Sequence, residues 1–150
     1  MPDSIKNANP AKLFPRLAAL FYDSLLLLAV LFGATILILP FNNGQAIQAN
    51  NPFYSSYIFI VSFLFFGWFW MHGGQTLGMR AWRLRLIRID GKHLSWWHAL
   101  LRFLTAIPAI LLGGIGYWWL LIDKEKLALH DRISETMVEQ LDENPHRRVK

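Results

Sequence analysis

Three long apolar blocks dominate the pattern of hydrophobic and polar positions along the chain. The first covers residues 17–39 and contains one charged residue, Asp23, while the second covers residues 53–71 and contains none. At 1.5 Å per residue, each block is long enough to cross the hydrocarbon core of a bilayer, which is about 30 Å thick. The pattern therefore predicts two transmembrane helices.

The third apolar block, residues 103–122, is long enough for another span but contains helix breakers. Pro108 and the glycines Gly113, Gly114 and Gly116 interrupt its 20 uncharged residues. We expect a broken or re-entrant hydrophobic segment, and a single kinked span remains the alternative. A third full span would also carry the six Lys and Arg residues that follow residue 122 to the outside, against the positive-inside rule.

The basic residues predict the orientation of the chain. Residues 40–52 between the first two blocks contain no Lys or Arg, whereas basic residues flank both blocks on their other sides. By the positive-inside rule, the N-terminus, residues 72–98 and the tail 123–150 are expected in the cytoplasm.

Residues 82–95 have a different pattern from the apolar blocks. Apolar and basic residues alternate in "WRLRLIRIDGKHLS", and Asp90-Gly91 is a strong turn signal, so we predict a small cytoplasmic β-hairpin. A basic amphipathic helix on the membrane surface is the alternative. The sequence "TMVEQL" at 136–141 alternates weakly and is expected to add a strand to this hairpin. The preceding "HGGQTLG" at 72–78 is expected to be a flexible exit from the second span.

The composition is typical of an all-α membrane protein with a single domain, residues 1–150. Of the 150 residues, 54% are apolar and 17% are charged, and there is no cysteine, which excludes thiolate sites. The net charge is +5, and the basic residues that produce it lie beside the apolar blocks. We therefore expect lipid headgroups as partners rather than nucleic acid. The five histidines lack zinc-site spacing, and we expect no metal and no cofactor.

Three separated motifs resemble the RDD family, which is named for one arginine and two aspartates. They are "RLAALFYD" at the first block, "GQTLGMRAWRLRLIRIDG" after the second block and "LHDRISETMV" near the end, and the similarity extends from about Lys12 to Leu141. By the motif match, the family residues are Arg16, Asp23 and Asp131. The resemblance implies a small, multi-pass protein of a bacterial inner membrane. For that family, transport of unidentified ligands has been proposed, and some members are linked to cation/proton antiport.

Arg16 and Asp23 are seven residues apart and therefore project from one helical face, with Asp23 roughly 10 Å deeper in the membrane. A carboxylate in hydrocarbon needs a partner or a proton. We expect Asp23 to pair with Arg102 inside the bundle, and the alternatives are hydroxyls such as Ser24, Ser62 and Thr105, or a proton. Arg16 is expected to pair with Asp131 in an exposed ion pair at the cytoplasmic surface, where an arginine of the hairpin is the alternative partner of Asp131. His130 is expected to be a solvated tail residue.

Two functions are compatible with this polar cluster of Arg16, Asp23, Asp131 and Arg102. The first is transport or cation/proton coupling through Asp23, which requires a homo-oligomer because two or three spans are too few to enclose a pathway. The alternative is a non-catalytic membrane scaffold or accessory subunit that binds another membrane protein, with the cluster forming structural ion pairs. No nucleophile or acid–base constellation is visible, so we do not expect an enzyme.

Overall fold

The structure is a computed structural model that describes residues 8–45, 47–48, 50–112 and 114–141. Its first two long helices are α1, Leu13–Ile38, which continues as a short 3-10 helix at Leu39–Asn42, and α2, Pro52–Met71. Asn51 caps α2 by accepting hydrogen bonds from the backbone N–H groups of Phe53 and Tyr54. Both helices have the length and hydropathy of a membrane span, which confirms the two predicted transmembrane candidates.

The third apolar block is broken, as predicted, into α4, Trp96–Leu111, and α5, Ile115–Ile122, which are bent by 90°. The short helix α3, Leu77–Ala81, precedes them. The break lies at Gly114, whose φ of +78° favours glycine, whereas Pro108 is accommodated inside α4. Helix α4 begins before the predicted block, at Trp96, and this places Arg102 in its interior with a buried side chain.

A small layer covers one end of the helices. It consists of α3, the strand β1 at Leu84–Arg88, the helix α6 at Leu129–Ile133 and the strand β2 at Thr136–Gln140, and we call it the basal layer. The strands pair antiparallel, from Leu84 opposite Gln140 to Arg88 opposite Thr136. The predicted strand at 136–141 is thereby confirmed, and residues 84–88 and 136–140 lie in one layer.

The predicted hairpin within residues 82–95 is wrong. Residues 89–95 form a turn without a returning strand, because both edges of β1 are already occupied. On one edge lies β2; on the other, the N–H of Leu86 donates to the carbonyl of Gly74 at 2.7 Å, and the Gln75 amide donates to the carbonyl of Leu84 at 2.6 Å. The Asp90 carboxylate accepts from the N–H of Lys92, which closes the turn locally.

The core lies where the helices meet the basal layer, and the far ends of the helices expose apolar surface. The core side chains are drawn from every part of this junction: Trp70, Met79, Leu84, Leu86, Ala99, Phe103 and Val138. In contrast, Phe32 and Leu37 in the second half of α1 are each 71% exposed. Apolar exposure on this scale is typical of surfaces that face lipid or another protein, and it agrees with the membrane class that the sequence predicts.

Candidate functional site: a buried arginine–aspartate cluster

Asp131 is the centre of a buried ion-pair cluster. Its Oδ2 accepts from Nη1 of Arg16 at 2.5 Å, and its Oδ1 accepts from Nη1 of Arg102 at 2.5 Å. The backbone N–H of Ala128 donates to the same carboxylate at 3.0 Å, which fixes the start of α6. Asp131 is fully buried, and we call the three charged side chains the Arg16–Asp131–Arg102 clasp.

All of the guanidinium nitrogens of Arg16 are engaged. Besides Asp131, Arg16 donates from Nε to the carbonyl of Ala11 at 3.0 Å, and from Nη2 to the carbonyls of Lys126 and Val138 at 3.4 and 3.3 Å. Arg16 therefore joins the start of α1 to β2 and to the segment before α6. The predicted Arg16–Asp131 contact is present, but the expectation of an exposed pair is wrong, because Arg16 is only 5% exposed.

Arg102 contacts Asp131 and not Asp23, so the predicted pairing of Asp23 with Arg102 is wrong. Its Nη1 also donates to the Thr136 hydroxyl at 2.9 Å, and its Cζ lies 5.5 Å from the centre of the Trp70 ring. The reason lies in the position of α4, which packs against α6 and brings Arg102 to the Asp131 side of the bundle.

The electrostatics of the clasp follow from burial and the two arginines. Burial alone would raise the pKa of the Asp131 carboxyl, but Arg102 and Arg16 outweigh it and hold this pKa well below its usual range. Burial, assisted by the Arg102 charge, lowers the pKa of His130 from 6.5 to about 3. At neutral pH Asp131 is therefore ionised and His130 is neutral. The expectation that these two residues are solvated is wrong, since they are 0% and 2% exposed.

Asp23 fastens α3 to α1. Its Oδ1 accepts from the backbone N–H of Gly78 at 2.9 Å, and its Oδ2 accepts from the Thr76 hydroxyl. That hydroxyl in turn accepts from the N–H of Met79 and caps α3. Gly78 is needed for this approach, because a Cβ there would lie 2.3 Å from the carbonyl oxygen of Ala19. The segment expected to be a flexible exit is therefore a packed, capped turn, and Thr76 is only 1% exposed.

These contacts place Asp23 at the basal end of the candidate spans. Thr76 and Gly78 follow the end of α2 at Met71, and α2 alone, at about 30 Å, is as long as a hydrocarbon core is thick. Helix α1 is longer than a span requires, and the uncharged residues 24–42 suffice to cross. The carboxylate is thus explained by its contacts with the basal layer rather than by a partner deep in the bundle.

A small cavity of about 70 Å³ is lined by both groups of polar residues. Asp23, Arg16, Arg102 and His130 all line it, and its volume is sufficient for a water molecule. The Nδ1 of His130 is buried and has no hydrogen-bond partner among the described residues. In the same ranges, no group of three or more His, Asp or Glu side chains is arranged to hold a metal ion.

Sequence reasoning missed Thr76, Gly78 and His130 as members of this site. The threonine and the glycine lie in a motif that was recognised, but their role depends on the packing of α3 against α1. The only local signal was a threonine before a short helical stretch, which is typical of an N-cap. His130 gave no signal of its burial, because it lies in a short helix in a polar region of the chain.

The fold and the site define a small membrane-type protein whose apolar helices are joined to a basal layer through buried arginine and aspartate residues. The chain belongs to the RDD family, whose model matches residues 10–135. No curated protein and no solved structure matches it.

Proposed function

We propose that the protein is a non-catalytic scaffold or accessory subunit of a bacterial inner membrane. One observation carries the proposal: the three residues of the family motif all fasten the basal layer to the helices. Arg16 and Asp131 do so through the clasp, and Asp23 does so through Thr76 and Gly78. Buried charges that are paired in this way hold a structure in one arrangement, and no reaction is required to account for them.

The basic residues support a cytoplasmic basal layer. Arg80, Arg83, Arg85 and Arg88 lie in or beside α3 and β1, whereas residues 40–52 at the other end of the spans contain no Lys or Arg. In this arrangement the lipid bilayer covers the exposed apolar faces of α1 and α2, and the basal layer is available to another membrane protein on the cytoplasmic side.

Cation/proton coupling through Asp23 is the second candidate, favoured by the 70 Å³ cavity. Asp23 shares this cavity with Arg102 and His130, and within the described part of the chain it has no ion pair within 4 Å. A proton or cation at Asp23 would therefore not have to displace a bound guanidinium. This candidate requires a homo-oligomer, because two spans do not enclose a pathway.

Proton flux in vesicles separates the two candidates. The purified full chain is reconstituted with a trapped pH indicator, a cation gradient is applied, and the wild type is compared with Asp23→Asn and Thr76→Val. For a scaffold, we expect no flux above that of protein-free vesicles, and both variants should lose membrane-fraction yield because each breaks the same contact with α3.

The matched control is Asp90→Asn, which removes an aspartate that lies at an exposed turn. Its yield should equal that of the wild type. Cation-dependent flux in the wild type that Asp23→Asn abolishes at unchanged yield, and that Thr76→Val retains, would refute the scaffold and support coupling.

A further inference from the structure

A second, much larger cavity lies among the membrane-spanning helices. It has a volume of about 610 Å³ and runs beside α2 from Tyr54 to Trp70, with α1 and α4 forming its other walls. These two residues are 16 positions apart, so the cavity extends about 24 Å along the helix axis. Its volume is within the range of small-molecule sites, roughly 300–1,000 Å³. It is long and its walls are mainly apolar, which suits an extended hydrocarbon chain.

The basal end of this cavity is polar, and Arg102 lies there with unused donors. A guanidinium has five N–H groups, and the two on Nη1 of Arg102 are directed to Asp131 and Thr136. The Nε and Nη2 atoms have no hydrogen-bond partner among the described residues, and neither is among the fully buried polar atoms that lack a partner. Arg102 therefore keeps three N–H groups available to a ligand, and its side chain lines both this cavity and the smaller one.

The clasp also leaves positive charge to be balanced. Asp131 supplies one negative charge for the two guanidiniums of Arg16 and Arg102, and both arginines are at least nine-tenths buried. The nitrogens of Arg16 all donate hydrogen bonds to backbone carbonyls or to Asp131. Arg102 is therefore the arginine of the clasp that can still donate hydrogen bonds to a ligand. The free edge of a guanidinium fits a carboxylate, which it can bind with two parallel hydrogen bonds.

We propose that this cavity binds a single-chain anionic amphiphile of the fatty-acid class, with its carboxylate on the Nε and Nη2 edge of Arg102 and its chain beside α2. Lipid tails are as apolar as the cavity walls, so burial of the chain does not by itself select a ligand from the membrane. Selectivity comes from the headgroup. This site goes beyond the scaffold function, and a ligand can bind there whether or not the protein transports protons.

The test is competition for photo-crosslinking on the purified full chain. A palmitate analogue with a photoreactive group near the end of its chain is bound to the protein in nonionic detergent at neutral pH. Unlabelled palmitate, hexadecanol and phosphatidylglycerol then compete. We expect cross-links in α2 or α4, and we expect palmitate to compete about 10- to 100-fold better than hexadecanol, as for loss of a charge-assisted hydrogen bond.

Two matched substitutions in α4 test the location without touching the clasp. Ala106 lines the cavity and Leu104 is 44% exposed and does not line it. Ala106→Phe should fill part of the cavity and reduce cross-linking at least about tenfold, whereas Leu104→Phe should cross-link like the wild type.

Equal competition by palmitate and hexadecanol would overturn the role of Arg102. Competition by phosphatidylglycerol as strong as that by palmitate would assign the site to a diacyl lipid headgroup and overturn the fatty-acid assignment. Unchanged cross-linking of Ala106→Phe, or cross-linking that is lost in a dimer in which a second copy fills the cavity, would overturn the site itself.

Discussion

Replacing Asp131 by asparagine tests whether the Arg16–Asp131–Arg102 clasp holds the basal layer in place. The substitution keeps the shape of the side chain but removes the only carboxylate that contacts both guanidiniums within the described residues. Arg16 and Arg102 are only 5% and 7% exposed, so loss of the carboxylate leaves two largely buried guanidiniums without their shared counter-charge. The two like charges would then face each other across a buried site.

The expected cost follows from the burial. Removing one partner of a buried ion pair destabilises a protein by about 3–5 kcal/mol. For a chain of this length, 1 kcal/mol corresponds to about 2–4 °C in Tm, so Asp131→Asn should lower Tm by roughly 6–20 °C. The measurement is thermal unfolding of the purified protein in detergent, followed together with the membrane-fraction yield.

The control is Asp90→Asn, which breaks the ion pair with Arg88. Asp90 is 37% exposed in its side chain, and an exposed pair contributes about 0–1 kcal/mol. Its Tm should therefore stay within about 4 °C of the wild type. If Asp131→Asn unfolds at the same temperature as Asp90→Asn, the clasp does not stabilise the protein and the structural argument is refuted.

Three further predictions concern Gly78, His130 and the topology. Gly78→Ala should destabilise the protein by about 1–3 kcal/mol, because the added Cβ would meet the Ala19 carbonyl, whereas Gly33→Ala, where nothing lies within 4 Å of the added Cβ, should stabilise it by up to about 1 kcal/mol. Thermal unfolding compares the two variants, and equal shifts in Tm would contradict the tight contact between α1 and α3. The pKa of His130 is lowered to about 3 in the folded protein, so below pH 6.5 the unfolded chain binds a proton that the folded protein does not. The free energy of unfolding should therefore fall as the pH drops from 6.5 toward 3, by up to about 1.4 kcal/mol per pH unit. If His130→Gln shows the same pH dependence as the wild type, this explanation is wrong. In a chain without native cysteine, Gln45→Cys should react with an impermeant thiol reagent from outside and Lys124→Cys should not, and the reverse result would show that the basal layer is external.

The helices and strands could be predicted wherever the pattern is local. The apolar blocks at 17–39 and 53–71 determine α1 and α2 through length and hydropathy alone, and alternation at 136–141 predicted β2. The hairpin failed because Asp90-Gly91 is a local turn signal that carries no information about which segment pairs with β1. That choice is made by the distant residues of β2 and by Gly74, which occupy its two edges.

The members of the polar cluster could be predicted, but their partners could not. The motif and the start of the third block gave Arg16, Asp23, Asp131 and Arg102, and all four are buried. Which carboxylate Arg102 meets depends on where α4 begins and on its packing against α6. Both depend on tertiary structure. From the sequence, "SWWHALL" resembles a loop that leads to the apolar block, whereas in the structure it forms the beginning of α4.

Asp23 shows how an apolar block can misplace a charge. If the membrane begins at the first residue of the block at 17–39, Asp23 lies about 10 Å deeper than Arg16. In the structure the first part of α1 packs against the basal layer, and the carboxylate accepts hydrogen bonds from Thr76 and Gly78. A helix longer than the bilayer can carry a charge near one end without burying it in hydrocarbon.

The position of Asp23 also bears on the charge of the cluster. With Asp131 alone, the two arginines leave one positive charge in excess; an ionised Asp23, which lines the same 70 Å³ cavity, brings the total to zero without touching either arginine. Protonation or neutralisation of Asp23 would return that excess to Arg102, whose side chain also lines the larger cavity. Asp23→Asn should therefore strengthen palmitate binding, and this result would connect the two cavities electrostatically, whereas unchanged binding at equal yield would show that they act independently.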